Sequence, residues 1–366
     1  MARLVLDLEA FRHNVRTLSA LAAPARTMLA VKADAYGHGM IPFAKAALES
    51  GADSLAVLEV PAAIALRDAG IGVPIFAWLH GRDTDFRSAI QADIELGVSS
   101  IRELDAILAV RAERPASVHL KVDTGLHRNG ASPEDWPALV AAALEAEEAG
   151  HVRIAGLWSH LADASPDDDA AALAEFRAAV AVAVGLGVPS EGPDTPLLHL
   201  AASSAGIRMP EARLDLVRFG IAAYGVSPFD DVDARGLGLR PAMTLIGTVV
   251  AVIDDFAVID LGSADGVAPS VRTAEVQLGG RRVSVTEVGI DTLRVTVPAT
   301  LDIAVGDEAI VFGTGDDGEP TAEDWAGWAG TIGDEIVVRA SRRIPREYIG
   351  EGALRDGATR LLRDRE

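Results

Sequence analysis

MLAVKADAYGHGMIPFAKAALESGADSLAVLEV, Met28 to Val60, decides the fold. Two short apolar runs, MLAVK and SLAVLEV, bracket an Ala-rich segment with apolar residues at helical spacing. That is the pattern of a strand, a crossover helix and a second strand. Working outward, the unit repeats to about residue 225, with eight apolar runs beginning at Met28, Ser54, Val73, Ala92, Val118, Arg153, Pro196 and Leu214. Eight strands alternating with helices predict an α/β fold, a closed (β/α)8 TIM barrel whose functional groups gather at the C-terminal ends of the strands. Those ends supply Lys32, Glu59, Lys121 with Asp123, Ser159 with His160, His199 with Ser203, and Arg218 with Gly220. Cations and hydroxyls around one mouth suit an anionic, phosphate-bearing ligand.

After about Gly236 the texture changes. MTLIGTVVAVI, FAVIDLG, AEVQLGG, RRVSVTEVG, TLRVTVP and EAIVFG alternate apolar and polar residues between Gly, Asp and Pro, which predicts a mainly-β second domain. Gly279-Gly280 reads as a tight hairpin. TAEDWAGWAG, Thr321 to Gly330, reads as a short helix capped by Thr321, with acidic residues in its first turn. The expected division is a barrel domain over residues 1–235 and a β-rich domain over 236–366, with residues 1–10 a candidate to pack with the second.

Composition narrows the function classes. A length of 366 residues favours two domains over one. The net charge of -21 repels phosphate backbones and anionic membranes, so neither nucleic acid nor a membrane is an expected partner. Cys is absent, which removes disulfides, thiolate nucleophiles and Cys-ligated metals, and no metal site is expected. MARLVLDLEAFRHNVRTL carries charge throughout and no run is long enough to span a bilayer, so the expected location is cytoplasmic.

AVKADAYGHG, Ala30 to Gly39, resembles the cofactor-lysine motif of alanine racemases, and the likeness continues along the barrel. It implies pyridoxal 5'-phosphate as cofactor, carried as a Schiff base by Lys32, with Tyr36 in the same motif. HLKVDTGLHRNG, His119 to Gly130, is similar to the fifth-strand motif, which implies that Arg128 engages the substrate carboxylate and the cofactor's phenolic oxygen. Lys121 corresponds to a lysine that carries a carbamate in many relatives; an unmodified lysine stays an open alternative. GLWSHLADA implies that His160 packs near the cofactor ring. HLAASSAG implies that Ser203 is a phosphate ligand and His199 a supporting partner, with Ala202 where the family has asparagine. RFGIAAYG implies that Arg218 faces the pyridine nitrogen and that the backbone N–H groups of Gly220 and Ile221 meet the phosphate. A guanidinium does not give up its proton, so the ring would be a weaker electron sink than one protonated by a carboxylic acid. VGIDT places Ile290 where a methionine amide holds the substrate carboxylate.

The second domain departs from the family. Alanine racemases pair the lysine with a tyrosine base from the partner's second domain. Here only Asp254 and Asp255 join the two strand-like runs where the family inserts the segment bearing it. Ser263 and Asp334 stand at two further tyrosine positions, and the only tyrosines are Tyr36, Tyr224 and Tyr348. The expected function is a racemase acting on alanine or a related amino acid, a homodimer by resemblance, with activity weakened by a missing or replaced second base. His127 and Asp334 are the candidates for that base. A one-base reaction on an amino acid, or a protein that holds the cofactor without catalysis, remain open alternatives.

Overall fold

The structure is a computed structural model and describes residues 1–271, 273–340 and 342–350. Residues 351–366 of the expected second domain lie outside the described residues. The chain divides into two compact units. One comprises Arg16–Ala33 and Ala47–Gly220; the other comprises Met1–Val15, Asp34–Ala46 and the chain from Ile221 onward. The change of texture near residue 235 falls inside the second unit.

A first strand, β1, spans Arg3–Asp7. Eight more follow: β2 (Arg26–Ala30), β3 (Ser54–Val57), β4 (Ile75–Ala77), β5 (Ile94–Val98), β6 (Ala116–Lys121), β7 (Val152–Trp158), β8 (Leu197–His199) and β9 (Leu216–Phe219). Each of these eight lies within or overlaps one of the apolar runs. They form one parallel sheet in the order β8-β7-β6-β5-β4-β3-β2-β9. The seam between β8 and β9 is closed by backbone bonds, Asp215 N–H to Leu198 O and Arg218 N–H to Ala201 O, both 3.1 Å. The barrel interior is packed by Met28, Ala56, Phe76, Trp158 and Leu216, with Trp78 and Leu197 against them.

The crossover helices begin and end as their sequences dictate. The longest, Pro166–Leu186, has Ser165 as N-cap accepting from Asp168 N–H, Pro at its start and three aspartates in its first turn. It stops at Gly187, whose φ of 119° a side-chain-bearing residue would resist. The serine cap is worth about 1 kcal/mol.

In the other unit the remaining strands are β10 (Met243–Ile253), β11 (Phe256–Ile259), β12 (Glu275–Leu278), β13 (Arg281–Val288), β14 (Leu293–Thr296), β15 (Glu308–Phe312) and β16 (Arg346–Ile349). Their order is β11-β14-β13-β12-β15-β10-β1-β16, and β11 pairs also with β10. β1 therefore lies in this sheet, antiparallel to β10 and parallel to β16. Gly279 and Gly280 turn β12 into β13 with φ of 57° and 75°, the left-handed pair a two-residue hairpin requires. A second two-residue turn, Asp254-Asp255, joins β10 to β11 where Ile253 faces Phe256, with Asp254 at φ 51°. The helix Ala322–Ala329 carries a capping box between Thr321 and Asp324, and Trp325 Nε1 donates to Val311 O at 2.5 Å.

Candidate active site

Four basic side chains act on one imidazole at the barrel mouth. β7 delivers His160 two residues past its end, β9 carries Arg218, β6 ends in Lys121, and Lys32 lies two residues past β2. Arg218 Nη2 lies 3.1 Å from His160 Nδ1. Guanidinium only donates, so Nδ1 accepts and the neutral ring carries its proton on Nε2. Burial, then Arg218, Arg128, Lys121 and Lys32 in that order, push His160 well below the usual histidine range. It is a neutral imidazole in a positive field.

Arg218 is itself buried, and donates to His199 Nδ1 at 3.0 Å and to Ser159 O and Leu200 O at 2.9 Å. Burial and the nearby Arg128 pull it down to about 9, which still leaves it a cation at neutral pH. The Trp158 face lies under two charges, Lys121 Nζ at 4.6 Å and Arg218 Cζ at 5.1 Å from the ring centre. Such contacts offset part of the cost of burying them.

Lys121 is 3% exposed and donates to Asn129 Oδ1. Burial, then Arg218 and Arg128, bring its amine down to about 7, with Asp123 and Glu103 opposing. A large neutral fraction at physiological pH follows. Arg128 is exposed on the loop after β6. In the same loop Asp123 accepts from His127 Nδ1 at 2.8 Å and from the His127 and Gly125 amides. The His127 side chain is otherwise 82% exposed. Ser203, expected at the phosphate, accepts from the Gly220 amide at 3.0 Å, so these two expected ligands adjoin.

The segment after Lys32 is unusual. Ala33, Asp34, Ala35 and Tyr36 have φ of 51°, 56°, 54° and 51°, a left-handed helical turn of four residues that are not glycine. Such a turn costs roughly 1–2 kcal/mol per residue, and other contacts must hold it. Within the second unit Asp34 Oδ1 accepts from the Met40 amide at 2.8 Å, Arg346 Nη2 donates to Gly37 O at 3.0 Å, and Tyr348 hydroxyl donates to His38 O at 3.1 Å. Gly37 and Gly39 leave the turn at φ 84° and 101°, and a Cβ on either would strike Val337 O or the Tyr348 hydroxyl.

Tyr36 is buried, its ring centre 4.9 Å from that of Tyr224, and its hydroxyl is pushed up by burial and then by Asp334. Asp334 lies in the short helix Gly333–Val338. Ile221 is buried in a 3-10 turn, Ile221–Tyr224. Ile290 is 73% exposed, and its carbonyl accepts from the Ala264 amide at 2.9 Å.

Sequence reasoning brought together Lys32, Lys121, Arg128, His160 and Arg218, which share the barrel mouth. It missed Asn129, the partner of Lys121, although Asn129 is quoted in the same motif. It also missed the parts played by Arg346 and Tyr348, which the structure places in β16. Among the described residues no group of three His, Cys, Asp or Glu could hold a metal ion, and no helix is long and apolar enough to cross a membrane.

Residues 6–228 match the family profile "Alanine racemase, N-terminal domain" and residues 248–348 match "Alanine racemase, C-terminal domain". The chain is 44% identical to the alanine racemase of Frankia casuarinae, covering 94% of this chain and 95% of that one. To the enzyme of Thermobifida fusca it is 42% identical, covering 94% and 97%. Its fold is similar to the crystal structure of alanine racemase from D-cycloserine producing Streptomyces lavendulae, with a TM-score of 0.90, 38% identity and coverage of 95% and 97%. The enzyme of Streptomyces coelicolor A3(2) gives 0.89 and 39%, covering 96% and 98%. The chain belongs to the alanine racemase family.

Proposed function

We propose that the chain racemises alanine or a closely related amino acid with pyridoxal 5'-phosphate held at the barrel mouth. The observation that carries this is the convergence of Lys32, Lys121, Arg128 and Arg218 on a neutral His160. A set of basic side chains, with Arg218 and Lys121 buried, Lys32 half-buried and Arg128 exposed, suits an anionic group bearing phosphate and a phenolic oxygen. When bound, pyridoxal phosphate acidifies the Cα–H of an attached amino acid by delocalising the electrons left behind.

The residues then divide the work. The Lys32 amine would hold the cofactor's aldehyde carbon and take or return the proton at Cα. Arg128 binds the substrate carboxylate, with the amide of Ile290 as a second donor. Arg218 would donate to the pyridine nitrogen of the bound cofactor and, staying protonated itself, would leave that nitrogen without a proton of its own, which would favour brief deprotonation over transamination. The neutral His160 would pack beside the cofactor ring. Ser203, Tyr36 and the amides of Gly220 and Ile221 serve the phosphate. Lys121, brought down to about 7 by burial and Arg218, is suited as a neutral amine to attack carbon dioxide, lose a proton and become the carbamate the resemblance implies.

The second proton donor is the divergent part. Tyr36 is buried against Tyr224, Tyr348 is tied to His38, and the β10–β11 turn has two residues. We assign the usual tyrosine as absent and name His127 and Asp334 as the candidates to replace it. A missing second base lowers the rate by on the order of 10² to 10⁴. A homodimer in the cytoplasm, with a free amino acid as its small-molecule partner, completes the proposal.

Exchange of the α-proton into deuterated water, followed for L- and D-alanine, tests it. Exchange with inversion supports racemisation. Exchange from one enantiomer with retention points to a one-base enzyme, and no exchange despite the visible absorbance of bound cofactor points to a protein that only holds it.

A further inference from the structure

A line of polar side chains crosses the barrel interior. Arg218 Nη1 lies 3.0 Å from His199 Nδ1, His199 Nε2 lies 2.9 Å from His119 Nδ1, and His119 Nε2 lies 3.1 Å from Glu95 Oε2. His199 and His119 are 0% and 1% exposed, so both rings are shielded from bulk solvent. Trp158 stacks on His199 at 5.6 Å between ring centres, and Phe76 meets both imidazoles at 5.7 and 4.7 Å. On β7, Gly156 pairs in register with His119, and a Cβ there would occupy the imidazole's place. The sequence makes room for this ring at the cost of a side chain.

The order of the protons follows from one end. Guanidinium has no acceptor, so His199 Nδ1 must be bare. A neutral His199 then carries its proton on Nε2 and donates it to His119 Nδ1. That nitrogen is bare in turn, so His119 carries its proton on Nε2 and donates it to the Glu95 carboxylate. A further proton on either ring would set two donors face to face. Burial and then the Arg218 guanidinium hold His199 well below the usual histidine range. Burial works to raise Glu95, but the hydrogen bond from His119, together with Arg153 and Arg67, outweighs it and leaves Glu95 below the usual carboxylate range.

We infer that Glu95 is a positioning residue for Arg218, a remote counter-ion acting through two neutral imidazoles whose tautomers are locked in series. The line fixes which nitrogen of Arg218 is committed to the barrel interior and so how the guanidinium is turned. Its relevance to the reaction rests on the proposed donation from Arg218 to the pyridine nitrogen. The tautomers themselves do not.

Nitrogen-15 spectra of the full chain labelled in histidine, taken with and without pyridoxal phosphate, separate bare from protonated ring nitrogens. We expect His119 and His199 both protonated on Nε2 and bare on Nδ1. Arg218→Glu supplies an acceptor where the chain has a donor, and should move the His199 proton to Nδ1 and place a proton on His119 Nδ1. Unchanged His119 in a folded R218E protein overturns the series coupling. If that variant does not fold, the unaltered chain decides alone: a proton on Nδ1 of either ring overturns the proposal. With cofactor bound, Glu95→Leu should lower kcat about tenfold, or ~1.4 kcal/mol, while KM for alanine stays within about twofold. Glu95→Gln, whose amide oxygen still accepts from His119, should recover most of it, and equal losses in both variants refute the positioning role. A chain that binds no pyridoxal phosphate yet carries both tautomers refutes the proposed function and leaves this line intact.

Discussion

Replacing Ala33 by glycine should stabilise the protein, although the same change in an ordinary helix does the reverse. Ala33 is exposed, next to Lys32, and begins the left-handed turn with φ 51°. Relief of its steric cost is worth roughly 1–2 kcal/mol. The added freedom of glycine in the unfolded chain takes back about 0.4–1 kcal/mol. Little packing is lost at an exposed methyl, so the net is a gain of up to about 1.6 kcal/mol, centred on ~0.8 kcal/mol. Ala106, exposed inside the right-handed helix Ile101–Leu108, is the control. There the change to glycine should cost about 0.5–1 kcal/mol. Urea unfolding of both variants, with the slope checked for constancy, gives the two signs. If Ala33→Gly and Ala106→Gly lose stability alike, the turn carries no strain and the account of its tethers is wrong.

Lys32→Ala should abolish the visible absorbance of cofactor-loaded protein and its labelling by borohydride, and a surviving band would put the cofactor on another lysine. Tyr348→Phe removes the hydrogen bond to His38 O and should cost about 0.5–1.5 kcal/mol in thermal or urea unfolding, whereas no measurable change would deny that bond a part in holding the turn. Burial holds His38 down to about 4, against 6.5 for a free imidazole, with its Nδ1 within 3.0 Å of Ala35 O and Tyr36 O. The unfolded chain therefore binds a proton that the native state refuses. Its contribution is whole above pH 6.5 and is lost as pH falls toward 4, by about 3 kcal/mol. Urea midpoints recorded across that window should fall less steeply in His38→Gln, and identical pH slopes would count against the assignment.

The eight barrel strands were legible because a buried parallel strand must be apolar on both faces and its helix must carry a stripe. The second sheet was legible through alternation and through Gly279-Gly280, which only a left-handed two-residue turn explains. What local pattern could not reveal was the shape after Lys32. Four consecutive left-handed residues contradict their own propensities, and Arg346 and Tyr348, more than three hundred residues away, hold the segment. Gly37 and Gly39 were visible as a motif, but the reason for them lies in Val337 and Tyr348. The Glu95–His119–His199 line was hidden for a related reason. A histidine in an alternating strand looks the same whether it faces solvent or another ring, and only the register with Gly156 discloses the difference.

The bonds that shut the barrel between β8 and β9 include the amide of Arg218, the residue whose guanidinium also reaches His160 and His199. Wall and mouth therefore share one residue. If Arg218 serves the chemistry as proposed, warming that spreads those two strands should silence activity and breach the wall in one event.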